Sequence, residues 1–126
     1  MRQAWGDFRA AEALYSSGNY AWCCFACHQA AEKSLKAILE HFGRPTRGHN
    51  LVELLSEVER YVAVPGQVRR ACFVLNRYYI PTRYPNAFPS GAPVDMFSED
   101  DAKEALDLAR ETLRFAERVT GYARSP

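Results

Sequence analysis

Tyr20-Ala21-Trp22-Cys23-Cys24-Phe25-Ala26-Cys27-His28-Gln29-Ala30-Ala31-Glu32-Lys33-Ser34-Leu35-Lys36-Ala37-Ile38-Leu39-Glu40-His41-Phe42 is the stretch on which the fold turns. Within it Cys24, His28, Ala31, Leu35, Ile38 and Phe42 recur at alternating steps of four and three. That spacing draws an apolar seam along one face of a helix from about Tyr20 to Phe42. Gly43 follows as a C-terminal cap and Pro45 bars continuation. A helix with such a seam must bury it against other helices.

The flanking sequence supplies them. Before it, Ala4, Phe8, Ala11 and Tyr15 form one stripe of a helix from about Arg2 to Ser16, with Trp5 and Leu14 beside the stripe and Gly18-Asn19 ending it. After it, Leu51, Leu55, Val58 and Val62 predict a third helix over about Asn50 to Val62. Pro65 begins a fourth, at a position where its missing N–H costs nothing. Val68, Cys72, Leu75 and Tyr79 form that helix's inner stripe, leaving Arg77 and Tyr78 less committed to the core. Ser98 caps a fifth helix, with Asp101 as the capping-box acid. Its inward positions are Ala102, Ala105, Leu106, Ala109, Leu113 and Ala116, and Gly121 with Arg124-Ser125-Pro126 forms a frayed end. The expectation is an all-α fold, an up-and-down antiparallel bundle of about five helices, in one domain over residues 1–126.

Between the fourth and fifth helices the rhythm stops. Asn76-Arg77-Tyr78-Tyr79-Ile80-Pro81-Thr82-Arg83-Tyr84-Pro85-Asn86-Ala87 holds two arginines, three tyrosines and two prolines. Each proline fixes its own φ and pushes the preceding residue toward extended geometry. Guanidinium groups suit phosphate or carboxylate, and tyrosine offers a stacking face with a hydroxyl. Arg77, Arg83 and Tyr84 are therefore the candidate ligand-binding residues, with Pro81 and Pro85 bracketing the last two. The plainer alternative is that the tyrosines cover the end of the core while the arginines are solvated or pair with acids.

Composition narrows the class. The 126 residues are 48% hydrophobic, 25% charged and 13% aromatic, which is globular rather than disordered. Sixteen basic against fifteen acidic residues leave a net charge of +1, so there is no general electrostatic case for duplex DNA or an anionic membrane. No apolar run approaches the roughly 20 residues of a membrane span. The N-terminus lacks a signal-peptide apolar region, and a cytoplasmic protein is the simplest expectation.

Cys24 and Cys27 form a C-x-x-C, with Cys23 and His28 adjacent and Cys72 far away. A structural zinc site needs a second ligand pair, and a thioredoxin-like motif opens a helix after a strand. Neither condition is met, so core packing as small hydrophobes is the expectation, with no metal and no cofactor. Glu99, Asp100 and Asp101 at a helix start suit the dipole. His28 is expected as a hydrogen-bonded core residue, and Glu32, Lys33 and Lys36 as a solvated or partner-facing edge.

Three segments resemble one family. Gly18 to Ala37 resembles the "GxYxxAxFxxxQAAEKxLKA" helix of HEPN domains. Gly48-His49-Asn50-Leu51 resembles the "GHDL" that opens their third helix, and Arg77 to Ala87 looks like the "YIPTRYPDA" loop of small stand-alone bacterial and archaeal members. The resemblance implies a helical bundle, a homodimer, and pairing with a separate small nucleotidyltransferase.

Many HEPN members are metal-independent ribonucleases that use an Arg and a His four to six residues apart near the start of the last long helix. After Arg83 that window holds Phe88, Pro89 and Ser90. The Arg and His at such spacing are Arg44 and His49, between the second and third helices, where His49 is expected to cap the third. Two classes follow. One is a non-catalytic module that binds a nucleotide and docks a nucleotidyltransferase, in a pair of toxin–antitoxin type. The other is an RNA-cleaving enzyme using Arg44 and His49 or a composite site in a dimer.

Overall fold

The computed structural model describes residues 1–79 and 97–122. Among them five helices follow one another: α1 (Arg2–Ser16), α2 (Tyr20–His41), α3 (Leu51–Val58), α4 (Gly66–Asn76) and α5 (Glu99–Thr120). The expected all-α bundle is present. The proposed loop residues Arg83 and Tyr84, the Phe88–Ser90 window and the terminal Arg124-Ser125-Pro126 lie outside the described residues.

α2 is the central element and packs against each of the other four helices. Small side chains make this possible. Ala4 and Ala11 of α1, Cys23, Cys24, Cys27, Ala30 and Ala31 of α2, and Ala102, Ala105 and Ala109 of α5 are all fully buried. Backbones approach closely where such residues meet, and the larger Leu35, Ile38, Leu39 and Leu113 fill the remaining space.

Cross-contacts set the directions. The Trp5 indole N–H donates to Glu117 (2.9 Å) and the Arg110 guanidinium lies over the Phe8 ring (5.2 Å), so α1 and α5 run antiparallel. The Tyr20 hydroxyl donates to Glu99 (3.0 Å), bringing the starts of α2 and α5 together. Those two are the parallel, diagonal pair of an up-down-up-down arrangement. Tyr78 packs edge-on to Phe97 and Arg70 reaches Glu104, so α4 and α5 are antiparallel neighbours.

The ends follow backbone chemistry. Gly18 adopts φ +80° after α1, and Asn19 N–H closes the turn on Leu14 O (2.8 Å). Ser98 and Asp101 form the expected capping box, each side chain accepting from the other's backbone N–H. Gly121, expected to be frayed, instead caps α5 in the left-handed conformation.

Several sequence expectations are corrected. α3 stops at Val58, because Arg60 and Tyr61 bond back three residues and tighten the chain into a turn ahead of Pro65. Pro65 is the N-cap of α4 rather than its first helical residue. α2 ends at His41, so Phe42 leaves the seam, is 37% exposed and stacks on Tyr61 (5.2 Å). Tyr15 is only partly buried.

The end of α4 departs furthest from the sequence pattern. Tyr78 N–H bonds to Leu75 O, a three-residue step that narrows the turn. The fully inward position after Leu75 is therefore Tyr78, and Tyr79, the next inward residue by the four-step stripe, is only partly buried.

Leu35→Ala, at the fully buried middle of α2, is expected to cost about 2–5 kcal/mol of stability in denaturant titration. Trp22→Ala is expected to cost well under half of that, because the indole is 49% exposed.

Candidate ligand-binding site at the α2–α3 connection

The sequence pattern puts Glu32 on a solvated or partner-facing edge, yet it is 4% exposed. It stands on the same side of α2 as His28, one turn earlier, facing the connection to α3. A buried carboxylate must be satisfied. One oxygen, Oε2, accepts from Lys36 Nζ one turn on (3.0 Å). The other, Oε1, lies 2.9 Å from His49 Nδ1. With the acceptor an oxygen, that ring nitrogen carries the proton, and His49 Nε2 is its other nitrogen.

His49 is held at three points. Its carbonyl lies 2.9 Å from His28 Nε2, its ring meets Glu32, and that ring stacks on Tyr79 at 5.0 Å and an angle of 10°. Its side chain is nevertheless 54% exposed. Gly48 supplies the approach with φ +118°, a conformation that L side chains rarely adopt. The expected capping role belongs to the next residue instead: Asn50 Oδ1 accepts from Glu53 N–H (3.0 Å). Asn76 at the end of α4 accepts from Leu51 N–H (2.8 Å), which ties the start of α3 to the end of α4. Phe25 and His28 also pack against Tyr79, at 6.0 and 5.2 Å.

Of the candidates named from sequence, the structure brings His49 into this cluster. Arg77 lies one residue before Tyr78, exposed, its Nε directed to Val74 O (3.4 Å). Arg44 is exposed in the same connection as His49. Beside that connection Thr46, Arg47, Gly48, Asn50 and Glu53 line a surface cleft of about 420 Å³. Sequence reading missed Glu32 and Tyr79. The usable signal was the i, i+4 spacing of His28, Glu32 and Lys36, which stacks three polar groups along one line of a buried helix.

His28 is fully buried, as a hydrogen-bonded core residue should be. Burial lowers its pKa, opposed by the Glu32 charge and the His49 carbonyl. Burial raises the Cys24, Cys27 and Cys72 thiols, Cys72 to about 12. Cys23 is lowered through its hydrogen bond with Cys27, but is itself fully buried. All four cysteines are free, and among the described residues no three His, Cys, Asp or Glu side chains cluster as a metal site.

These environments have measurable consequences. The native protein should resist a thiol reagent at mildly alkaline pH and react fully only when unfolded, as read by absorbance of the released chromophore. A folded-state pKa below the ordinary imidazole value means the unfolded chain takes up the His28 proton first. Melting temperature should therefore hold above the ordinary imidazole range and fall as pH drops through it, less so in His28→Gln.

Comparison with known proteins agrees with this architecture. The profile of the HEPN domain matches residues 1–119. TT1696 from Thermus thermophilus is 42% identical, with a TM-score of 0.90 over 94% of this chain and 93% of that one. ST0689, an archaeal HEPN homologue, is 30% identical with a TM-score of 0.78, again over 94% and 93%. A HEPN domain protein of Thermotoga maritima is 27% identical with a TM-score of 0.79, over 98% of both chains. No curated protein matches the sequence. Family profile, identity and superposition span the segments that hold Glu32 and His49, and the chain belongs to the HEPN domain family.

Proposed function

We propose that this HEPN domain is a non-catalytic module that binds a nucleotide at the His49 site and docks a separate nucleotidyltransferase. The observation that carries the reading is the half-exposed His49 imidazole, held flat on Tyr79 by a buried carboxylate. A ring fixed before the ligand arrives loses little conformational entropy on binding. Phosphate is the group that guanidinium donors would hold: Arg77 just after α4, and Arg83 on its sequence alone, with the Tyr84 ring offering a stacking face. Trp22, Phe42 and Phe73 are 49%, 37% and 54% exposed. Such apolar surface supports contact with a second copy and with the nucleotidyltransferase, in a pair of toxin–antitoxin type.

Calorimetric titration with ATP tests the binding reading. Arg83→Ala or His49→Ala should weaken affinity by about 1.5–3 kcal/mol, the scale of a hydrogen bond to a charged group. The melting temperature of Arg83→Ala should change little. No binding by the wild type removes the proposal. Light scattering at micromolar concentration is expected to give a dimer mass, and a monomer would remove that part.

A second reading has one specific observation in its favour. An imidazole whose Nδ1–H is held by a carboxylate while its side chain stays half exposed is the arrangement of a general base. With Arg44 in the same connection, it supports metal-independent RNA cleavage. Degradation of total RNA in the presence of a chelator, lost in both Arg44→Ala and His49→Ala, would favour this enzyme reading over the non-catalytic one.

A further inference from the structure

His28 is surrounded by acceptors. Its Nε2 lies 2.9 Å from the His49 carbonyl, which places the proton of the neutral ring there. The opposite nitrogen, Nδ1, then presents a lone pair. Among the described residues it has no hydrogen-bond partner, although Glu32 Oε1 stands 4.0 Å away. Gln29, on the same helix, carries a second buried atom without a partner, Oε1, and its amide also favours the charged ring. Buried polar atoms are ordinarily paired, so two orphans around one imidazole need an explanation.

One proton supplies it. An N–H at Nδ1 would offer a donor on the side of Gln29 and Glu32, and the positive ring would attract the Glu32 carboxylate 4.0 Å away. Glu32 Oε1 is already engaged by His49 Nδ1 at 2.9 Å, and Oε2 by Lys36. Two imidazoles thus compete for one carboxylate oxygen. The groups that face the His28 ring are Gln29 and Glu32 from α2, with Lys36 behind Glu32, His49 from the α2–α3 connection, and Tyr79 from the end of α4. His28 therefore meets His49 twice, at the carbonyl directly and at the ring through Glu32.

We propose that His28 is a proton-controlled positioning residue of the His49 site: a proton taken up at His28 Nδ1 draws the Glu32 carboxylate off His49 and releases the exposed imidazole from its fixed orientation. The functional weight of this inference rests on the reading of His49 as a ligand contact. The switch itself does not, because it is read without ligand. Neutral His28 leaves the site ordered, and proton uptake loosens it, so ligand affinity is expected to fall on acidification.

Long-range nitrogen–proton NMR of the histidine rings, in the full chain from about pH 8 to about pH 5, tests it across the window where imidazoles titrate. At the upper end His28 should show the Nε2–H tautomer and His49 the Nδ1–H tautomer. On acidification His28 Nδ1 should take up a proton, and the His49 ring signals should move with the same midpoint. In His28→Gln, which keeps an N–H donor for the His49 carbonyl but cannot titrate, the movement at that midpoint should vanish. A His28 ring that stays in one state while the protein remains folded would overturn the proposal. So would His49 signals that move identically in His28→Gln. If that variant does not fold, unequal midpoints for the two rings in the wild type are sufficient to reject it. A chain that shows the coupled titration but binds no ATP rejects the binding reading and leaves the switch standing.

Discussion

A carboxylate inside an apolar helical bundle imposes conditions on everything near it, and Glu32 is that group here. It lies at 4% exposure on the central helix, where an unpaired charge would cost several kcal/mol. Lys36 answers one oxygen from the next turn of α2. The other oxygen is answered from outside the helix, by His49. The α2–α3 connection is therefore held against α2 by electrostatics rather than by apolar packing. Asn76 completes the arrangement by accepting from Leu51 N–H, which fastens the start of α3 to the end of α4.

The consequences reach α4. Because His49 is fixed, its ring face offers a surface, and Tyr79 covers one side of it. Tyr79 reaches that face because the end of α4 tightens and sends Tyr78 into the core against Phe97. One shortened turn thus separates two adjacent tyrosines into a core residue and one that stacks on His49. Other ion pairs, such as Arg60–Glu57 and Arg110–Asp107, are largely solvated and contribute little individually.

The logic of the packing is simpler. α2 meets α1 and α5 through alanines and cysteines, small enough to let three backbones converge. Cys24, Cys27 and Cys72 are reactive by composition but inert by location, since burial disfavours the thiolate that chemistry requires. The polar line of His28, Glu32 and Lys36 runs along the flank of the same helix, so one element carries both the core seam and the polar cluster.

By itself the sequence determined the helices. The seam through Cys24, His28, Ala31, Leu35 and Ile38 was legible because helical burial repeats with a fixed period, and Gly18, Gly43 and the Ser98–Asp101 box were legible because cap chemistry is local. His49 stood out in the sequence, but the capping expected of it belongs to Asn50. Its true partner lies 17 positions away, and no periodicity encodes a contact between a helix flank and a loop. The burial of Glu32 depended on which flank of α2 the connection would cross. The exchange of Tyr78 and Tyr79 depended on a change of pitch at a helix end that the four-step pattern ignores. Tertiary structure decided these points, because each follows from where a second segment of chain comes to rest.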